Sequence, residues 1–289
     1  MTTPEETTHD ESAEWSVAPR SATNRRHRSS IVQQAALRTI NRLQGGYRQE
    51  EPAAVGAVAR LRREAGRDVY ASPTSWQLDH LQTLAELRDE RRREEREDEE
   101  GRITEQRHFT PWARARDERR AEAEDKAVHL AVTLWALHQQ SVRDESMHEP
   151  GWPLGRSVRA LAQRRADDKA PAATEGDEAP ATTGGNTSRK PAPVEEVSDT
   201  VRKRFVRIGV STDFDVLSRR LRDVVLLLRT ARIPLDYGRL ADELHRWQDD
   251  AQQDAVRGAW GRSFYQTFTR TVPEDAEPEP VEKPVPGQR

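Results

Sequence analysis

Cysteine is absent from this 289-residue chain, and with it disulfides and thiolate chemistry. Any zinc site would have to be built from histidine and carboxylates alone. Aromatic residues make up only 6% and hydrophobic residues 34%, so part of the chain has too little apolar surface to bury a core. No apolar run approaches the roughly 20 residues that span a bilayer. The opening MTTPEETTHD is polar and acidic, unlike a signal peptide. Those absences lead to the expectation of a cytoplasmic protein with no membrane partner. Catalytic and phosphate-cradling motifs are missing too: there is no G-x-x-x-x-G-K-S/T, no G-x-G-x-x-G, no G-x-S-x-G and no H-E-x-x-H. A non-enzymatic binding subunit is expected, with no cofactor and no metal.

Lysine is scarce, five among 47 basic residues, so arginine carries nearly all the positive charge. Its position matters more than its abundance, because base composition alone can inflate arginine. The formal net charge of −3 hides a segregation. Residues 1–19 hold five acids and no base, 166–200 hold eight acids against three bases, and 271–289 hold five against two. The intervening stretches, 20–165 and 201–270, are therefore net basic. A basic folded surface suggests a polyanionic partner.

No strand pattern of any length appears, and the apolar residues recur with helical period. The densest stretch is Leu217–Trp247, where Leu217, Leu221, Val224, Val225 and Leu228 share one helix face. Ile233-Pro234 ends that helix, and Asp236 N-caps a second with the stripe Tyr237, Leu240, Ala241, Leu244 and Trp247. Earlier helices start after Ser30 and stop at Gly45-Gly46, run from Pro52 to Gly66, and follow Ser72-Pro73 through Leu87. The charged block 89–100 suits either a solvated helical extension or a disordered insert. Residues 127–137, AVHLAVTLWAL, are apolar nearly all round and predict a buried central helix, with His129 and His138 as core or boundary residues rather than ligands. Further helices hold Leu154, Val158 and Leu161, then Val201, Phe205 and Ile208, and finally Val256, Trp260, Phe264 and Tyr265. The paired acids Asp242-Glu243 and Asp249-Asp250 are expected on solvated faces. The fold class is all-α, with two helical bundle-like parts: a disordered tail at 1–28, an N-terminal helical domain at 29–166, a disordered linker at 167–198, a C-terminal helical domain at 199–268 and a disordered tail at 269–289.

Arginines cluster on particular helices: Arg60, Arg62 and Arg63; Arg156 and Arg159; Arg202, Lys203, Arg204 and Arg207; and Arg219, Arg220, Arg222 and Arg229. Guanidinium groups pair bidentately with phosphate, and such contacts give affinity without reading sequence. The basic knot Arg25–Arg28 is expected to belong to the disordered tail.

Several segments together resemble the small subunit, CasB type, of the type I-E CRISPR surveillance complex, Cascade. They are V-A-R-L-R-R at Val58–Arg63, L-W-A-L-H-Q at Leu134–Gln139, P-L-G-R-S-V-R-A-L-A at Pro153–Ala162 and K-R-F at Lys203–Phe205. The series continues with L-S-R-R-L-R-D-V-V-L-L-L at Leu217–Leu228, I-P-L-D-Y-G-R-L-A-D-E-L-H-R-W at Ile233–Trp247 and W-G-R-S-F-Y at Trp260–Tyr265. The match spans roughly 52–165 and 200–266, and it is the order of the segments that is specific. The resemblance implies an all-α, non-catalytic subunit, packed as two head-to-tail copies beside CasA, CasC, CasD and CasE type subunits. Its basic surface would hold the crRNA–target hybrid and the displaced strand of target DNA, stabilising the R-loop. Arg62 and Arg63 fall on the family's L-R-R, Arg156 on its L-G-R, Lys203 and Arg204 on its R-R-F, and Arg222 on its L-R. Arg219 and Arg220 join this nucleic-acid-binding set on helix-face geometry. Arg202 stands where relatives often have Glu, and the stretches 89–100 and 167–195 are longer than usual. The alternative is a transcription regulator binding double-stranded DNA, with IPLDYGRLADELHRW opening a helix-turn-helix.

Overall fold

The computed structural model describes residues 29–71, 79–100, 111–167 and 198–266, with no side chains described at 97–100 and 166–167. The expected tails at 1–28 and 269–289, the basic knot and all of the expected linker but its two ends lie outside the described residues. Residues 1–30 form a separate unit, of which only Ser29 and Ser30 are described. Everything below concerns the unit that begins at Ile31.

Nine helices are present among the described residues, and no strand. They are α1 (Ile31–Arg48), α2 (Pro52–Glu64), α3 (Asp79–Glu100), α4 (Pro111–Gln139), α5 (Leu154–Asp167), α6 (Asp199–Gly209), α7 (Phe214–Thr230), α8 (Tyr237–Trp247) and α9 (Asp250–Tyr265). From Ala127 to Gln139 every residue of α4 is buried, as its unbroken apolar run requires. Around it pack α1, α2, α3, α7 and α8, while α5 lies along α9 and α6 against α5 and α7. One apolar cluster draws Ile40, Leu84, Leu134 and Trp135 together with Leu221, Leu240 and Trp260. Helices from both sides of 168–197 thus share a core.

Local chemistry explains the boundaries in the stretch Leu217–Trp247. The Asp213 side chain accepts from the amides of Asp215 and Val216 and caps α7, and Asp236 accepts from Arg239 N to cap α8. Helix α7 closes before Pro234, through a Schellman turn. Arg232 takes the left-handed conformation at φ 51°, and the amides of Arg232 and Ile233 donate to the carbonyls of Arg229 and Leu228. The following residues are tied to the loop before α5: Leu235 N donates to Met147 O at 3.1 Å, and Asp236 N to Trp152 O at 2.7 Å.

Two boundaries differ from the sequence expectation. Helix α1 runs through Gly45-Gly46 to Arg48, because Gly46 and Tyr47 are buried and the Tyr47 hydroxyl accepts from Ser141 N. That packing offsets the roughly 1 kcal/mol cost of a helical glycine. Gly46 also needs to be glycine, since a Cβ there would strike Ala54 at 2.9 Å. Helix α4 begins at Pro111, well before the apolar run, and α3 continues to Glu100. The charged block is therefore a helical extension, with Arg91 pairing to Glu95 and Arg92 to Asp89 along its surface.

Candidate nucleic-acid interface

The arginines divide by what they touch. One set is spent inside the protein. Glu124, 1% exposed on α4, receives Arg88 at 2.7 Å, Arg91 at 3.2 Å and Arg120 at 3.1 Å, and Arg88 also reaches Asp125 and the Ala121 carbonyl. Burial pushes the Glu124 carboxyl up, but the Arg88 hydrogen bond and the charges of Arg91 and Arg88 outweigh it and hold the group below its usual value. Glu243, buried on α8, pairs with Arg239 at 2.8 Å and accepts from Trp260 Nε1 at 2.7 Å. Here burial is the larger effect, and the carboxyl is raised. The paired acids expected on solvated faces are thus split, with Glu243 buried and Asp249 capping α9.

Two residues singled out for nucleic acid, both half-buried, also have partners within the protein. The Arg156 guanidinium lies over the Trp152 ring, 4.0 Å from its centre, and donates to Gly151 O at 2.9 Å. Desolvation there lowers its pKa. Arg220 donates to Arg207 O and to Ser211 Oγ at 2.9 Å, bracing α7 against the end of α6. Arg159, 7% exposed, donates to the carbonyls of Phe264 and Tyr265 and closes the end of α9. Gly155, in the L-G-R segment, lets the α5 backbone meet α9 at Trp260 and Phe264, where a Cβ would overlap.

The other set faces solvent. Arg63, Arg204, Arg219 and Arg222 are exposed and Arg62 is half-buried, and none has an ion pair or side-chain hydrogen bond among the described residues. Lys203 pairs with Asp199 at 2.7 Å, but both side chains are about 70% exposed, so water screens the pair. Arg62 and Arg63 sit in the last turn of α2. The chain then turns through Gly66, at φ 84°, where a Cβ would lie 3.2 Å from Arg222 Cδ. The end of α2 and the outer flank of α7 are therefore neighbours. Between them lies a cleft of about 160 Å³ lined by Arg67, Lys126 and Arg219, and also by Asp68 and Asp215. Lys203 and Arg204 stand on α6, which packs against the opposite flank of α7, where Arg220 points. A groove of about 360 Å³ beside the start of α6 is lined by Arg164, Arg165, Thr200 and Thr230, with no acid.

Arg67, Arg164 and Arg165 carry no signal in the sequence that sets them apart. Arg67 follows the helix stop that ends α2, and the other two close α5; only the fold sets them beside α7. The histidines are buried as anticipated. His129 Nδ1 lies 3.1 Å from His80 Nε2, and His138 Nδ1 2.8 Å from the Tyr237 hydroxyl. Desolvation lowers His129 to about 4 and His138 to about 3, so both are neutral. Among the described residues no three histidines or carboxylates converge on a metal-sized site, and no helix is long and apolar enough to cross a membrane.

The fold and this surface define a class: an all-α protein whose buried acids hold some arginines and whose outer helices offer others without counter-ions. Residues 57–265 match the model of the CRISPR-associated protein Cse2 family, and the chain belongs to that family, the CasB-type small subunits of CRISPR Cascade. It is similar to the crystal structure of CasB from Thermobifida fusca, at 29% identity and a TM-score of 0.55, over 83% of this chain and all of that one. No curated protein matches. Family membership decides against the transcription-regulator alternative, and the family is a structural component of Cascade, generally without catalysis.

Proposed function

We propose that this Cascade small subunit binds nucleic-acid backbone, holding the crRNA–target hybrid and the displaced strand so that the R-loop persists. One observation carries the reading: Arg62, Arg63, Arg204, Arg219 and Arg222 have no internal partner among the described residues, whereas the arginines around Glu124 and Glu243 are paired with buried carboxylates. A guanidinium without a counter-ion is free to take a phosphate without first giving up an internal partner. Backbone contacts suit the task, because guide and target pair by base complementarity and the protein need read no sequence. Strand exchange is nearly balanced in free energy, so a few kcal/mol of phosphate contact on the displaced strand shifts it. The subunit has no catalytic role in this scheme, acts in the cytoplasm, and works beside a second copy of itself and the CasA, CasC, CasD and CasE type subunits. Arg156 and Arg220, although in the family segments, act as packing residues.

The test is retention of target DNA by assembled Cascade carrying Arg62→Glu, Arg63→Glu, Arg204→Glu, Arg219→Glu and Arg222→Glu. Faster loss of the R-loop, with the displaced strand re-pairing sooner, is expected. An unchanged R-loop lifetime, with the variant subunit still incorporated and folded, would place the nucleic-acid surface elsewhere.

A further inference from the structure

Helix α6 carries an outward face that the described residues leave uncovered. Val201 and Ile208 point into the core and Phe205 packs against it. Val206 and Val210, one turn apart, are 54% and 62% exposed. Arg202, Lys203 and Arg207 stand exposed on the same side. A face that is apolar along its midline and cationic at its edges calls for an occupant that is acidic and carries small aliphatic side chains.

The chain supplies such a segment next door. The Phe264 ring stacks on Phe205 of α6, with centroids 5.0 Å apart, and α9 ends one residue later at Tyr265, itself 55% exposed. The sequence then reads Val272, Glu274, Asp275, Glu277, Glu279, Val281 and Glu282, with no basic residue between Thr271 and Glu282. The residues between Gln266 and Glu274 can span up to roughly 26–29 Å. Helix α6 is only about 16 Å long. A segment tethered this closely has an effective concentration on the order of millimolar, so individually weak exposed ion pairs suffice.

We propose that residues 272–282 dock on the outward face of α6, pairing their carboxylates with Arg202, Lys203 and Arg207 and covering Val206 and Val210. Resting on the nucleic-acid reading above, docking makes this segment a tethered competitor for the Lys203–Arg204 part of the surface. Loose polyanions are then excluded, and a strand held in place by guide pairing displaces the segment.

The absence of cysteine makes the test direct, since Val206→Cys introduces the sole thiol. Its alkylation rate is compared in the full chain, in a chain with Glu274→Gln, Asp275→Asn, Glu277→Gln, Glu279→Gln and Glu282→Gln, and in one ending at Gln266. Severalfold slower alkylation in the full chain, relieved by the other two and by salt, is expected. Equal rates in all three overturn the proposal, as does equal relief on removing the acidic residues 1–19. The same forms without the cysteine are titrated with single-stranded DNA, where neutralising the segment raises affinity. If none binds DNA, the nucleic-acid reading falls, while the thiol rates still decide the docking.

Discussion

Arg88 and Arg219 have the same side chain and opposite employment. Arg88, on α3, is locked between Glu124, Asp125 and a backbone carbonyl. Arg219, on α7, meets no acid within pairing distance among the described residues. The difference lies in the neighbours: a buried carboxylate, on the facing helix for Arg88 and Arg91 and one turn away on the same helix for Arg120 and Arg239, matches the first set, and none matches the surface set. Arginine content therefore says little about function in this protein. What matters is which arginines the fold leaves unmatched.

The largest effect that separates the two sets is expected at Glu124. Glu124→Ala takes away the carboxylate that Arg88, Arg91 and Arg120 share, leaving Arg88 only Asp125 and Arg91 only the exposed Glu95, and should cost about 3 kcal/mol. Urea denaturation measures it, and a loss below about 1 kcal/mol would mean the arginines are already solvated. Arg156→Ala removes the stack on Trp152 and the bond to Gly151, and should cost about 1–2 kcal/mol. DNA affinity should stay unchanged apart from that loss of fold; a strong loss of affinity in a stable variant would move Arg156 into the binding set.

Acid should weaken the interior more than the surface. His80, His129 and His138 are held neutral by burial, so their folded pKa values lie below the ordinary one. As pH falls below about 6.5 the unfolded chain takes up protons that the folded one refuses, and stability declines toward pH 4. Glu243, raised by burial, offsets part of this at the acid end. The urea midpoint should be flat from pH 8 to 7 and lower at pH 5. A midpoint that does not move between pH 7 and pH 5 contradicts the burial of neutral histidines. The smallest effect on stability is expected at the surface: Arg63→Ala, Arg219→Ala and Arg222→Ala should each shift it by within about 0.5 kcal/mol.

How far the sequence was readable follows the same division. The α7–α8 pair could be read closely, because the 3.6-residue stripe and the Asp236 cap depend only on near neighbours along the chain. The buried run of α4 was equally plain. Gly45-Gly46 misled as a helix stop, since its cost is offset by the burial of Tyr47, a tertiary effect. Arg220 could not be told from Arg219 or Arg222 by sequence. Which flank of α7 meets α6 decides its role, and no local pattern encodes that. The His80–His129 contact joins α3 to α4 across a long separation and has no local signature. The family segments were legible as a set, yet the contacts by which Gly155 and Arg159 join α5 to α9 and Arg156 meets the loop before α5 have no local pattern.

The division between matched and unmatched arginines is tested most directly by the salt dependence of single-stranded DNA affinity. The comparison is between the native chain, a variant with Arg62→Ala, Arg63→Ala, Arg204→Ala, Arg219→Ala and Arg222→Ala, and a variant with Arg156→Ala and Arg220→Ala. The first variant should flatten the slope of log affinity against log salt by about 0.7 for each phosphate it no longer neutralises, and the second should keep the native slope. A native slope in the first variant, or equal flattening in both, would contradict the account.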